Sequence, residues 1–376
     1  MTRLDPIRPA PLPLPDQVAL VLQGGGALGA YQAGVIQELT AASIEVDWIA
    51  GISIGAINGA LVAGNKPIDR LPALRTFWER VTSGMPPLPL GVGGDWWREW
   101  VHLGAAAWVA GVGAPGFFRP HAVPPLAAAP GSLEAVSWYD TTPLFETLDR
   151  LVDWDLLNDG PVRLSVGAVD VESGNFHMFD NRECRLDARH IAASGALPPG
   201  LPPVEIDGRW WWDGALVSNT PLEFVMAHQA GDALIFQVDL FPAGGERPRT
   251  MVDVASREKD IRYSSRTRQV TDSALKLRRE REAIRRALAK LPAELCADPD
   301  IAALRDLGRE HAVSVVQLIY RARAWESGAK DYEFSRATME EHWAEGRAAV
   351  ARTVESGDLL AQSIADGATA AFDLTP

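Results

Sequence analysis

Residues 17–42 read QVALVLQGGGALGAYQAGVIQELTAA and residues 46–63 read VDWIAGISIGAINGALVA. The first stretch opens with a short apolar run, Gln17–Leu22, that stops at glycines and predicts a buried strand. A helix is expected from Ala27 to about Ala42, with Leu28, Tyr31, Val35 and Leu39 at helical spacing on one face. The pattern then repeats, Val46–Ala50 predicting a second strand and Ile54–Ala63 a second helix. Strand–glycine–helix, twice within about 45 residues, specifies a layered α/β domain with parallel strands.

Both strand-to-helix turns carry chemistry. Gly24-Gly25-Gly26-Ala27-Leu28-Gly29 sets unhindered backbone N–H groups at a helix N-terminus, a cradle for negative charge. Gly24, Gly26 and Gly29 fit the dinucleotide spacing, with Glu45 and Asp47 roughly 20 residues on. An oxyanion hole and a plain tight turn are the other readings, and no Gly-Lys-Ser/Thr ending marks a phosphate-binding loop. Gly51-Ile52-Ser53-Ile54-Gly55 stands between strand and helix, as a nucleophile elbow requires. The alternative is a serine that caps the helix. No histidine is singled out by its local pattern. His190 and His228 lie within helical patterns, so spacing alone supplies no Ser-His-Asp triad.

Composition narrows the classes further. The chain has 376 residues, 47% hydrophobic and 23% charged, enough for a large core. A net charge of −13 argues against a nucleic-acid partner. Two cysteines, Cys184 and Cys296, exclude a disulfide scaffold and a cysteine-rich metal site. The seven histidines form no HExxH pair, so no metal and no cofactor are expected. Prolines fill residues 1–16, which read as a disordered tail rather than a secretion signal. The longest near-apolar stretch, Leu103–Phe118, is too short to span a bilayer, so a cytoplasmic address is expected. Thirteen tryptophans are an excess that composition leaves unexplained.

Residues 84–137 hold eight prolines and many glycines, lack periodicity, and read as an insertion rather than a second core. Val162–Val171 and Phe176–Phe179 suggest a hairpin, Arg209–Trp212 and Ala233–Leu240 further strands, and Pro221–Gln229 a helix. Ser256–Lys290 carries 12 basic and 5 acidic residues and reads as a long amphipathic helix. Val313–Tyr320 is a late strand and Ser335–Val354 a late helix. The expected division is a tail at 1–16, a catalytic domain at 17–242, and an extension at 243–376 packed on it.

Four ordered pieces together resemble bacterial patatin-like phospholipases: VLQGGGALGAYQAGVIQEL at 21–39, AGISIGAINGALVAGN at 50–65, ASGALPP at 193–199 and WWWDGALVSNTPL at 210–222. The stretch QLIYRARAWESGAKDYEFSRATMEEHW at 317–343 resembles the C-terminal extension of one bacterial branch of that family. The resemblance implies a three-layer α/β/α fold with a mainly parallel sheet. It implies a lipid acyl hydrolase with a serine–aspartate dyad, Ser53 matching the nucleophile and Asp213 the base. Gly24, Gly25 and Gly26 match the oxyanion loop, with Gly51, Gly55, Gly214 and Ala215 as supporting motif positions. Asp366-Gly367-Ala368 repeats the Asp-Gly-Ala pattern, but Asp213 follows the aromatic run RWWW and is preferred. The family's loop carries Lys or Arg where this chain has Leu28, which leaves room for neutral acyl esters.

A lipid or acyl-ester substrate is therefore expected, with peripheral contact to a membrane or lipid granule. Residues 84–137, with Trp96, Trp97, Trp100 and Trp108 and with Trp138 just beyond, are the expected lid or docking segment. The basic helix is the expected contact for anionic headgroups. Two other classes compete: a Rossmann-type NAD-dependent oxidoreductase using the Gly24–Gly29 loop, and a non-catalytic lipid- or granule-binding protein.

Overall fold

Along the first strand, Val18, Leu20 and Leu22 face one core with Val35, Leu39, Ile57 and Leu61, while Ala19 and Val21 face a second with Leu222, Val225 and Met226. A strand apolar on both faces must be covered on both, and this alternation makes the fold three-layered. The computed structural model describes residues 14–85, 94–292, 295, 298–307, 311–321, 326, 329–365 and 369–374.

In chain order the strands are β1 Gln17–Leu22, β2 Trp48–Gly51, β3 Arg119–Pro120, β4 Tyr139–Asp140, β5 Arg163–Asp170 and β6 Phe176–Asp180. They continue with β7 Val204–Ile206, β8 Arg209–Asp213, β9 Ala233–Asp239, β10 Val313–Ile319 and β11 Ala370–Asp373. Nine form one sheet in the order β11-β10-β9-β1-β2-β5-β8-β7, with β6 also on β5, while β3 and β4 pair separately. The run from β11 through β5 is parallel, and β6, β7 and β8 are antiparallel. The fold is thus the α/β class with a mainly parallel sheet that the sequence predicts. The register Leu22↔Gly51 brings the ends of β1 and β2 level, so both glycine turns open on the same edge of the sheet.

Residues beyond 243 take part in that sheet, because β10 pairs β9 and β11 pairs β10. They also clamp the first motif helix. The helix Arg336–Glu355 crosses the helix Gly29–Ala41 where both carry glycine. A Cβ on Gly34 would stand 2.0 Å from the Trp343 carbonyl oxygen, and one on Gly346 2.0 Å from that of Tyr31. Around this contact Trp343 Nε1 donates to Gln37 Oε1 at 2.5 Å, and Arg347 donates to Glu38 at 2.9 Å. The Arg75 guanidinium lies 3.8 Å from the Trp343 ring centroid.

Two expectations need correction. Residues 84–137 are not without periodicity, because Asp95–Val112 is an 18-residue helix. Its inward stripe is His102, Ala105, Ala106 and Val109, at helical spacing but composed of one polar residue, two alanines and a single valine. A search for large apolar side chains passes over such a stripe. The charge of the long helix, Met251–Leu288, is also partly used within the protein. Arg262 and Arg286 pair with glutamates one turn away, and buried Arg278 donates to the backbone carbonyls of Met226 and His311. The helix Pro67–Val81, which buries Leu74, Phe77, Trp78 and Val81, was not among the expected elements. Among the described residues no helix is long and apolar enough to cross a membrane.

The glycine crossing leaves no room for a side chain, so Gly346→Val has to push two backbones apart. The expected loss is about 3 kcal/mol, at the upper end for overpacking, with a smaller loss for Gly346→Ala. Urea denaturation of the two variants against the parent measures both.

Candidate active site

Ser53 sits at the turn from β2 into the helix Ile54–Ala63 with φ +55° and ψ −120°, left-handed backbone for a residue that carries a Cβ. Both flanking glycines are required. A Cβ on Gly51 would lie 2.5 Å from the Gly55 carbonyl carbon, and one on Gly55 2.4 Å from the Leu22 oxygen. The strained turn is held from the far side by Ser194, whose carbonyl oxygen and hydroxyl lie 3.1 and 3.0 Å from the Ser53 N–H. Ser194 ends the helix Ala188–Ser194, and Gly195 follows it across the serine: a Cβ there would stand 3.7 Å from Ser53 Oγ. Thus ASGALPP forms one wall of the site.

Asp213 ends β8 opposite Ala168 of β5, almost completely buried. Its carboxyl accepts the Ala215 N–H at 2.8 Å, and the Ser53 hydroxyl is a neighbouring donor that acts on it. Burial pushes the carboxyl up to about 7, against the lowering effect of those two donors. Gly214 cannot carry a side chain, since a Cβ would meet the Gly167 oxygen at 2.6 Å. Trp211, just before, is buried with its ring 4.9 Å from that of Phe179, which fixes the strand that ends in Asp213. The rival Asp366 lies outside the described residues.

The glycine loop stands beside the elbow, a Cβ on Gly24 falling 3.1 Å from Ser53 Cβ. The three glycines differ in what they offer. Gly24 is engaged by Asn219, its N–H donating to Asn219 Oδ1 at 3.1 Å and its carbonyl accepting from Asn219 Nδ2 at 3.1 Å. No such partner is found among the described residues for the N–H groups of Gly25 and Gly26. Gly26 has φ +54°, and a Cβ on it would meet the Asp331 carbonyl oxygen at 2.3 Å. Gln23 anchors the loop: its Oε1 accepts the Leu240 and Phe241 N–H groups, and its carbonyl accepts from Gln32. Gln32 accepts from Asn58, which accepts in turn from Trp78, a buried chain that ties the loop to the elbow helix.

Asn219, Ser194 and Gln23 were not singled out from the sequence. The available signal was a polar side chain inside or beside each quoted motif. Leu28, where the family pattern has a cation, is fully buried. Asp47, the acid a dinucleotide site would use, accepts the Val18 N–H at 2.8 Å.

A pocket with about 670 Å³ of empty space lies over Ser53. Besides the dyad and glycines much of its wall is aromatic, including Phe117, Phe118, Tyr139, Phe241, Tyr332 and Phe334, with Leu197 and Leu201 among the rest. None of the seven histidines lines it, and among the described residues no tryptophan does. Phe117 and Phe118 are what the insertion supplies to it among the described residues. Trp100, Trp108 and Trp138 are exposed on the surface, and the side chain of Trp96 lies outside the described residues. Among the described residues no three His, Cys, Asp or Glu side chains are grouped to hold a metal.

A family model described as "Patatin-like phospholipase" matches residues 20–226, and another described as "Patatin phospholipase" matches 261–365. Among curated relatives, "Lysophospholipase nte1" of Aspergillus terreus is 61% identical over 46 residues, 12% of this chain and 3% of that protein. "Patatin-like phospholipase domain-containing protein 7" of Rattus norvegicus is 43% identical over 69 residues, 18% of this chain and 5% of that protein. The chain thus spans a small fraction of the length of these relatives. Among solved structures, VipD from Legionella pneumophila matches with a TM-score of 0.42 and 14% identity, over 95% of this chain and 72% of that one.

The raised Asp213 carboxyl has a sign that can be checked. In the unfolded chain an aspartate ionises near about 3.9, whereas the folded protein holds this proton up to about 7. The folded state binds more protons between those values, so this group's contribution to stability falls as pH rises from about 4 to about 7. Asp213→Asn removes the fall. Urea midpoints are expected to place the variant above the parent at pH 8, with the gap closing by pH 4.

Proposed function

The chain belongs to the patatin-like phospholipase family, and from that membership and the geometry at Ser53 we propose a lipid acyl hydrolase that works through a Ser53–Asp213 dyad. The observation that carries this reading is a buried carboxyl, Asp213, raised to about 7 in the same pocket as Ser53, a pocket that no histidine lines. A base is most effective when its pKa lies near the working pH, and burial alone brings this aspartate there.

Asp213 accepts the Ser53 hydroxyl proton as Oγ attacks the ester carbonyl. The oxyanion forms at the N–H groups of Gly25 and Gly26, worth about 3 kcal/mol per donor in comparable sites. Gly24 keeps Asn219 in place and the loop in shape. The alcohol leaves with the proton from Asp213. Water, deprotonated by the same carboxylate, then releases the acyl group from Ser53. The aromatic wall suits the apolar acyl chain. Each step uses side chains and backbone of this chain alone.

A lipid substrate is met as an aggregate, and the surface near the pocket suits that. The segment that supplies Phe117 and Phe118 also exposes Trp100, Trp108, Leu126, Leu133 and Trp138, with Leu126 98% exposed. Between Val101 and Leu133 its only Asp, Glu, Lys or Arg is Arg119. Such a face supports peripheral contact with a lipid–water boundary.

Ser53→Ala is expected to abolish hydrolysis of p-nitrophenyl butyrate, and Asp213→Asn to lower kcat about 10³-fold or more, both with the fold retained. In the parent, kcat/KM should rise with pH through about 7 as Asp213 loses its proton. Steady-state kinetics across pH tests this. Retained turnover in folded Ser53→Ala, or loss in Asp366→Asn with Asp213→Asn active, contradicts the assignment.

A further inference from the structure

The turn Lys330–Tyr332 lies against the glycine loop. A Cβ on Gly26 would stand 2.3 Å from the Asp331 carbonyl oxygen and 3.6 Å from the Asp331 Cβ. A Cβ on Gly25 would stand 2.7 Å from Leu240 Cδ1 and 3.4 Å from Cε2 of the Phe241 ring. Lys330 Nζ is 5.7 Å from the centroid of that same ring. Two consecutive residues, Lys330 and Asp331, therefore bear on both glycines whose N–H groups face the developing oxyanion. Asp331 reaches Gly26 directly, and Lys330 reaches Gly25 through Phe241.

What holds this turn is a pattern of charge. Lys330 Nζ donates to Asp260 Oδ1 at 2.7 Å, and Lys259 Nζ donates to the Asp331 carboxylate at 2.8 and 3.0 Å. Lys259 and Asp260 are adjacent on the helix Met251–Leu288. Lys-Asp on the turn thus faces Lys-Asp on the helix in the opposite sense, and two ion pairs form. A shift of one residue either way would set Lys330 against Lys259 or Asp331 against Asp260, and like charges so placed repel. The pairing therefore admits one register. The Lys330–Asp260 pair is nearly removed from water, with side-chain exposures of 2% and 11%. Apolar residues in place of a buried ion pair often serve stability equally well, so its use here calls for another reason, and a fixed arrangement is one.

We propose that the crossed pairs are a register lock that positions the oxyanion loop, with Lys330 and Asp260 as positioning residues for acyl transfer at Ser53. The proposal rests on the hydrolase reading above. Neither residue touches the reacting ester. They act by fixing where Asp331 and Phe241 press, and so where the Gly25 and Gly26 N–H groups stand.

The test separates placement of the loop from stability. Lys330→Met is expected to lower kcat for p-nitrophenyl butyrate about 10²-fold with KM nearly unchanged. It is expected to weaken inhibition by pentyl trifluoromethyl ketone, whose adduct with Ser53 carries the oxyanion, by the same factor. A role in stability alone would leave both values, taken per folded molecule, at those of the parent. Lys259→Asp and Asp331→Lys each set like charges face to face and should lower kcat, whereas the double variant, which reverses the pair, should recover most of it. This swap carries the test if Lys330→Met fails to fold. Folded variants with the parent's kcat and ketone affinity overturn the lock, as does a double variant no better than its single variants. A parent that hydrolyses no ester contradicts the hydrolase reading instead, and the positioning role with it.

Discussion

The burial of one carboxyl, Asp213, against one strained serine is the constraint on which the rest of the structure depends. An aspartate in water at neutral pH is charged and a poor base. Removed from water, it holds its proton up to about 7, against the lowering effect of the Ala215 N–H and the Ser53 hydroxyl. The fold meets the cost with rigid surroundings. β8 ends on the carboxyl, Gly167 and Gly214 approach too closely for side chains, and Trp211 packs beneath. The left-handed backbone at Ser53 costs on the order of 1–3 kcal/mol and persists only where its neighbours over-determine it. Here Gly51, Gly55 and Ser194 do so.

The second half of the chain is part of the same machine. Two of its strands widen the sheet, and its helix Arg336–Glu355 crosses the glycine-loop helix so closely that both chains need glycine there. The Asp331 carbonyl oxygen presses on Gly26, and Tyr332 and Phe334 line the pocket. In this chain the pocket's shape therefore depends on segments more than 270 residues from Ser53 in sequence. The loop's cation found in the family pattern is replaced by buried Leu28, which leaves backbone N–H groups as the loop's own source of positive potential.

Much of this was legible in the sequence because glycine and serine carry local rules. A strand ending in Gly-Gly-Gly or in Gly-Ile-Ser-Ile-Gly allows few backbones, so both turns and the parallel pairing beside them could be read from residues 17–63. The late strand at 313–319 and the late helix from Arg336 were equally legible from apolar patterning. What was not legible depended on tertiary contact. The helix Asp95–Val112 packs a stripe of His102 and alanines, and alanine carries little hydrophobic signal. Among the described residues the aromatic wall of the pocket is phenylalanine and tyrosine, with none of the tryptophans that stood out in the composition. Asn219 bonds the N–H and carbonyl of Gly24, a contact that only the folded chain reveals, while the N–H groups of Gly25 and Gly26 have no such partner among the described residues.

The central claim, that Ser53 becomes a nucleophile because Asp213 takes its proton, is tested most directly by the rate of covalent capture. The protein is reacted with a fluorophosphonate from pH 5 to 9, and the adduct is followed by intact mass and located by peptide mapping. The account predicts one adduct, on the peptide carrying Ser53, whose rate rises through about pH 7 in the parent and is slow and flat in Asp213→Asn. An adduct on another residue, or a Ser53 adduct whose rate in Asp213→Asn keeps the parent's magnitude and pH dependence, would contradict it.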